Sequence, residues 1–477
     1  MLKKLLPPLF LACCYLAQSQ TVFTPAPTKP VDLDNYLTLL EDDLNTNMKN
    51  LPKGQRHIFK KFFAHRYEYL SNSLENGHFL FSEDLSTYLQ NILEEICRAN
   101  PELPCERFRL FVGRYGSPNA SSLGDGFFVF NLGLLTKLEN ESQIAFILCH
   151  EIAHSELKHA DHTLKNHSET IGSKKTQRDL RRSARMGMDD KVSMLREIVY
   201  ETRRLSREHE SEADAFGLSL MCNTRFDASQ ALRTMEILDS IDLFIFNDVF
   251  DLKTIFHSND YAFKDRWLAT QTTMDFSPAA IEESTKFQRD SMRTHPYCTE
   301  RRNLLAKALA NCNHGNQSHL QEKKLLDDLL RSMDFELAEG YHSFQQIDEC
   351  LFHTLTLLQS YPDSPYLHGK VGHCLYAAHR AMLEHTFHTA VSQPAPHQAP
   401  GFHQLVTFLH NLRTKEIQKI AYHYLKDREE KYADNEEFLF ALAMTANIND
   451  LTAEFSAWKA KYEDLFPHGR YRSLLSD

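Results

Sequence analysis

Beyond the first seventeen residues the chain has no apolar run long enough to cross a bilayer, which excludes a transmembrane helix in the mature protein. Basic residues are also in deficit. The 53 Lys and Arg stand against 64 Asp and Glu, a net charge of −11, and this argues against nucleic acid as a partner. No clear tandem repeat stands out, although helical pairs with short turns recur in the last third. The histidines around the Pro-containing linker Val391 to Gly401 (His385, His388, His397, His403) lack the tight spacing and the fixing helix of a metal site, and read as solvated. What remains is a chain of 477 residues, 42% hydrophobic and 25% charged, long enough for two globular domains.

The N-terminus reads as a signal peptide over residues 1–19. Met1-Leu2-Lys3-Lys4 is a basic start, Leu5 to Ala17 a short apolar stretch, and Ala17-Gln18-Ser19 a small-x-small cleavage site. A lipoprotein acylated on Cys13 is the alternative, weakened by Phe10 as lead residue. Either way the protein is expected to be exported, periplasmic or secreted. Two of the ten cysteines lie in that leader and eight enter an oxidising compartment. Cys97 with Cys105, and Cys350 with Cys374, are disulfide candidates, whereas Cys149 among apolar neighbours reads as a buried small hydrophobe.

The stretch richest in chemistry is Cys149-His150-Glu151-Ile152-Ala153-His154, followed by His159. On a helix His150 and His154 are one turn apart on one face and can bind one metal ion, with Glu151 beside them to move a proton. Imidazole suits Zn2+, and three protein ligands leave a position open for water. The preceding Ile144-Ala145-Phe146-Ile147-Leu148 is apolar all round, so the helix should be buried, where such polar groups need partners. Some fifty residues on, Glu208-His209-Glu210-Ser211-Glu212-Ala213-Asp214 offers the third ligand. Glu210 and Asp214 share a helix face, so Glu210 is expected to complete the metal site and Asp214 to accept the free N–H of a ligand histidine. Glu208 and Glu212 fall on other faces, and Glu212 is the competitor to Glu210.

The pairing of His-Glu-Ile-Ala-His with Glu-Ser-Glu-Ala-Asp resembles the zinc metallopeptidase family of the CAAX prenyl proteases and HtpX, nearest to its soluble periplasmic, BepA-like protease-chaperones. Pro118-Asn119-Ala120, Gly124 to Phe130, Gly133-Leu134-Leu135, Phe226-Asp227 and Thr294-His295-Pro296 are similar to that family as well. Ser121 and Ser122 depart from it, standing where an aromatic often follows. The resemblance implies that His295 lies at the active site. Two roles are open: donor to the oxyanion, or a zinc ligand that holds the enzyme latent. In enzymes of this kind a free strand edge beside the metal pairs with the substrate, and Phe127, Phe128, Val129, Phe130 and Asn131 are expected to form that edge strand, with an ordinary core strand as the alternative.

The fold class expected is α+β and mainly helical: a zincin-like metalloprotease domain with a small sheet, then an all-α region of helical hairpins resembling degenerate tetratricopeptide repeats. The divisions are residues 1–19 (signal), 20–80 (tether and helices), 81–320 (metallopeptidase) and 321–477 (helical). Ser82 caps a helix carrying Leu85, Tyr88, Leu89, Ile92, Leu93 and Ile96, strands run from Arg107 to Arg114 and Phe127 to Asn131, and Asn140 with Gln143 caps the motif helix. Asp161 to Asp190 reads as a solvated loop and helix face, with a lid as alternative, and the aromatic stretch Ile241 to Trp267 as core, with an apolar flap as alternative. The function expected is a Zn2+-dependent endopeptidase with Glu151 as general base. Its substrates would be misfolded or unassembled envelope polypeptides, and the helical half would recruit outer-membrane assembly machinery. The rival is a chaperone or binding module with a latent or structural metal site, and Glu151 argues against it, because a structural site needs no base.

Overall fold

In this computed structural model, residues 23–51, 56–163, 207–241, 246–269, 298–310, 312, 320–395 and 398–475 are described. Side-chain caps set where helices begin. After α1 (Leu33–Lys49) and α2 (Arg56–Glu75), Ser82 accepts from the Leu85 N–H and starts α3 (Glu83–Ala99), whose six predicted apolar positions are all buried.

Three short strands follow, β1 (Arg109–Gly113), β2 (Ala120–Ser122) and β3 (Phe127–Asn131), in the spatial order β1-β3-β2. Here the structure corrects the sequence reading: Phe127, Phe128, Val129, Phe130 and Asn131 form the middle strand, not an edge. β1 pairs with it in parallel and β2 antiparallel. Its residues alternate between two apolar layers, Phe128 and Phe130 in the main core with α3, and Phe127 and Val129 with Leu40, Leu70 and Leu74 of α1 and α2. A strand covered on both faces carries no solvent alternation that would betray an edge. The two outer strands are β1, whose outer side is bridged by Phe79, and β2, too short and polar to be read as a strand. Asn131 N–H donates to Asn119 O (3.0 Å) and Leu123 N–H to Phe127 O (2.8 Å), so odd-numbered residues of this segment turn their backbone groups toward β3. Those of Ala120 and Ser122 therefore point away from the sheet.

The one-turn α4 (Leu132–Leu135) leads to α5 (Glu141–Glu156), the motif helix. Asn140 Oδ1 accepts from Gln143 N–H (3.0 Å), and Gln143 Oε1 accepts from Glu139 N–H (2.7 Å), so the cap acts reciprocally. Lys158 adopts a left-handed conformation (φ 54°) just past the end of α5 and turns the chain back, bringing His159 against the helix.

The second motif lies on α6, residues 207–222. Gly217 lets α6 approach α5 closely, since a Cβ there would stand 3.0 Å from the His150 Cα. Next come α7 (Gln230–Ser240) and α8 (Cys298–Leu309), packed on one another. A disulfide the sequence reading did not pair, Cys222–Cys312, ties the end of α6 to the end of α8, and the expected Cys97–Cys105 bridge is formed. Cys350 and Cys374 face each other with Sγ atoms 3.2 Å apart and are unbonded.

The remainder is helical: α9 (Leu320–Ser343), α10 (Ile347–Ser360), α11 (Pro365–Leu383), α12 (Pro400–Asn411), α13 (Thr414–Lys426), α14 (Glu436–Ile448) and α15 (Thr452–Leu465). The nearly all-buried α11 is its axis, packed against α10, α13 and α14. This bundle shares one continuous apolar core with the sheet and α5. α9 packs on α4 and α5, and the buried Glu336 of α9 pairs with the buried Arg114 that follows β1. The N-terminal tether crosses the same seam: Phe23 packs on Phe335 and Tyr366, and Ala26 N–H donates to Glu336 (2.5 Å). The described part of the aromatic stretch is core, as expected. Phe246 stacks on Phe402, and Phe256 and Phe263 on Phe408, all against α12.

Candidate metal centre

Three donors from two helices converge. His150 and His154, one turn apart on α5, bring their Nε2 atoms to 3.0 Å from each other. Glu210 of α6 places one carboxylate oxygen 3.7 Å from His150 Nε2 and the other 3.5 Å from His154 Nε2. All three donor atoms lie within 4.8 Å of one another, and they are the one such group among the described residues. Ligands about 2.0–2.2 Å from a tetrahedral ion stand a little over 3 Å apart, so two imidazole nitrogens and a carboxylate at these separations fit Zn2+.

The shell behind them matches the reading of the second motif in part and exceeds it in part. Asp214 Oδ1 stands 3.0 Å from His150 Nδ1, the place for the partner of a ligand histidine, although the contact is angled away from an ideal hydrogen bond. Arg301 of α8 was not anticipated. Its Nε and Nη2 donate to the two oxygens of Asp214 (2.7 and 2.8 Å), and its Nη1 lies 2.8 Å from Glu210. It sits 87 residues from Asp214, six past His295 with no motif of its own, and only the packing of α8 brings it here. Glu212, the competitor to Glu210, points elsewhere: its carboxylate is 3.2 Å from His159 Nε2 and largely exposed. His295 lies outside the described residues, as does most of the segment from Asp161 to Asp190.

Burial and charge set the protonation states. Burial pushes Glu151 up to about 7, opposed by the charge of His150 and by the Ser122 backbone N–H, which donates to its carboxylate. A carboxyl poised there can accept a proton and give it back near neutrality. Burial, with His150 and His159 adding to it, holds His154 down to about 2, so its ring stays neutral and its lone pair is free. At His150 burial lowers the pKa, but Asp214 and Glu210 outweigh it and the net shift is upward. Burial works to raise Asp214, and Arg301 and His150 overcome it and hold the carboxyl well below its ordinary range. Cys149 is fully buried and burial pushes its thiol up, so it is inert packing, as expected.

Residues 83–308 match the family model described as Peptidase family M48. No curated protein matches the chain.

Proposed function

Since residues 83–308 are a domain of peptidase family M48, a family of metallopeptidases, we propose that this protein is a zinc-dependent endopeptidase acting on extended or misfolded polypeptides. The observation that carries the reading is the convergence of His150, His154 and Glu210 beside a buried carboxyl, Glu151. Zinc held by those three would polarise the attacking water and the scissile carbonyl and stabilise the oxyanion. Glu151 takes the proton of that water and returns it to the leaving amine. Asp214 and Arg301 hold His150 and Glu210 in place. The outward backbone groups of Ala120 and the outward carbonyl of Ser122 are the pairing edge for an extended substrate, the Ser122 N–H being engaged by Glu151.

The setting we propose is the cell envelope, with the helical half recruiting outer-membrane assembly partners, as the resemblance to the BepA-like protease-chaperones suggests. No helix among the described residues is long and apolar enough to cross a membrane. His295 keeps both of its roles in this proposal. His295→Ala slows cleavage if the residue supports the oxyanion and speeds it if the residue plugs the site.

Metal content and unfolded-casein cleavage, measured on wild type and Glu151→Gln, test the proposal. Glu151→Gln should keep its zinc and lose roughly 10²-fold or more in turnover. Full turnover in the zinc-loaded variant would overturn Glu151 as the base, and a zinc-loaded wild type that cleaves nothing would return the protein to the binding-module reading.

A further inference from the structure

His150 has its outer partner in Asp214, and His154 needs one of its own. His159 is in that position. Its Nδ1 lies 2.9 Å from His154 Nδ1, its Nε2 lies 3.2 Å from Glu212 Oε2, and its ring is stacked on His209 at 4.2 Å between centroids and 13° between planes. The left-handed Lys158 brings His159 there, and the side chain is buried.

We propose that His159 and Glu212 are positioning residues for the metal site, a histidine-to-carboxylate chain that fixes the ring and tautomer of His154. This rests on the metal-centre reading above. For the Nε2 lone pair of His154 to face a metal, its proton must sit on Nδ1. That N–H then donates to His159 Nδ1, which has to be the bare nitrogen of a neutral ring. The His159 proton is thereby placed on Nε2, from which it donates to Glu212. Each proton has one place, and reversing any one of them leaves two donors or two lone pairs facing each other. α6 thus serves both ligand histidines, His150 through Asp214, and His154 through Glu212 with His209 closing the face of the His159 ring.

The test is zinc affinity, by chelator competition, in the full-length chain, with the melting temperature of the metal-free protein beside it. His159→Phe keeps a flat ring against His209 and removes the acceptor. Zinc affinity should fall about 10- to 100-fold while the metal-free melting temperature holds. His159→Asn sets an amide oxygen near the place of Nδ1 and should restore affinity to within about threefold of wild type. A ring that served only as packing would give the opposite order, Phe tolerated and Asn weak, and would overturn the proposal, as would unchanged affinity in His159→Phe. Should His159→Phe fail to fold, Glu212→Leu at the exposed end of the chain decides: a several-fold loss of affinity supports the chain, and none overturns it. Zinc affinity that survives His150→Ala refutes the metal centre itself. Tight wild-type binding, lost in His150→Ala and unchanged in His159→Phe, refutes only the role of His159.

Discussion

Arg301 clasps Asp214 with two hydrogen bonds, of 2.7 and 2.8 Å, and both side chains are almost wholly buried. Removing one partner of a buried pair strands the other charge in a low-dielectric interior, which costs about 3–5 kcal/mol. Arg301→Met should therefore lose about that much stability in urea denaturation of the metal-free protein. It should also bind zinc more weakly, because Glu210 loses the same guanidinium. Near-wild-type stability would mean that Asp214 becomes protonated at little cost.

Glu210 and Glu212 separate in the same assay. Glu210→Gln removes a charged donor from the cluster and should lower zinc occupancy by well over roughly tenfold. Glu212→Gln keeps an oxygen that accepts from His159 and should stay within about threefold. Equal losses measured by metal analysis would show that both carboxylates reach the metal.

Truncation before residue 320 is expected to give an insoluble protein rather than a free peptidase. It would expose the face of α5 covered by α9 and leave Arg114 without Glu336. A soluble, monomeric fragment by size-exclusion chromatography, still cleaving casein, would overturn this.

Acid should loosen the attachment of residues 246–269 to α13. Burial works to raise Glu416, but its hydrogen bonds to Lys264 and Arg266 hold it down to about 2, against an ordinary 4.5. A depressed carboxyl contributes stability that is fully present above 4.5 and is lost as the pH falls from there through about 2. Both cations are about half exposed, so the contribution is discounted to about 1 kcal/mol. Comparing wild type with Glu416→Gln by thermal melts, the difference should be present at neutral pH and shrink below pH about 4.

Local rules wrote much of this protein into its sequence. A turn of α-helix puts residues four apart on one face whatever surrounds it, so His150 with His154, and Glu210 with Asp214, were legible by spacing alone. The caps at Ser82 and Asn140 were legible as well, because a cap joins residues two or three positions apart. Relations between distant segments carried no such period. Strand Phe127–Asn131 is apolar on both faces whether it lies at the edge or in the middle, and only its two partners made it central and left the open edge to Ala120–Ser122. Arg301 is one arginine among many until α8, tied by Cys222–Cys312, sets it against Asp214. His159 looked like an appendage to the motif until the turn at Lys158 laid its ring on His154. These are outcomes of packing, in which the free energy depends on which surfaces meet in space, and no interval along the chain encodes that.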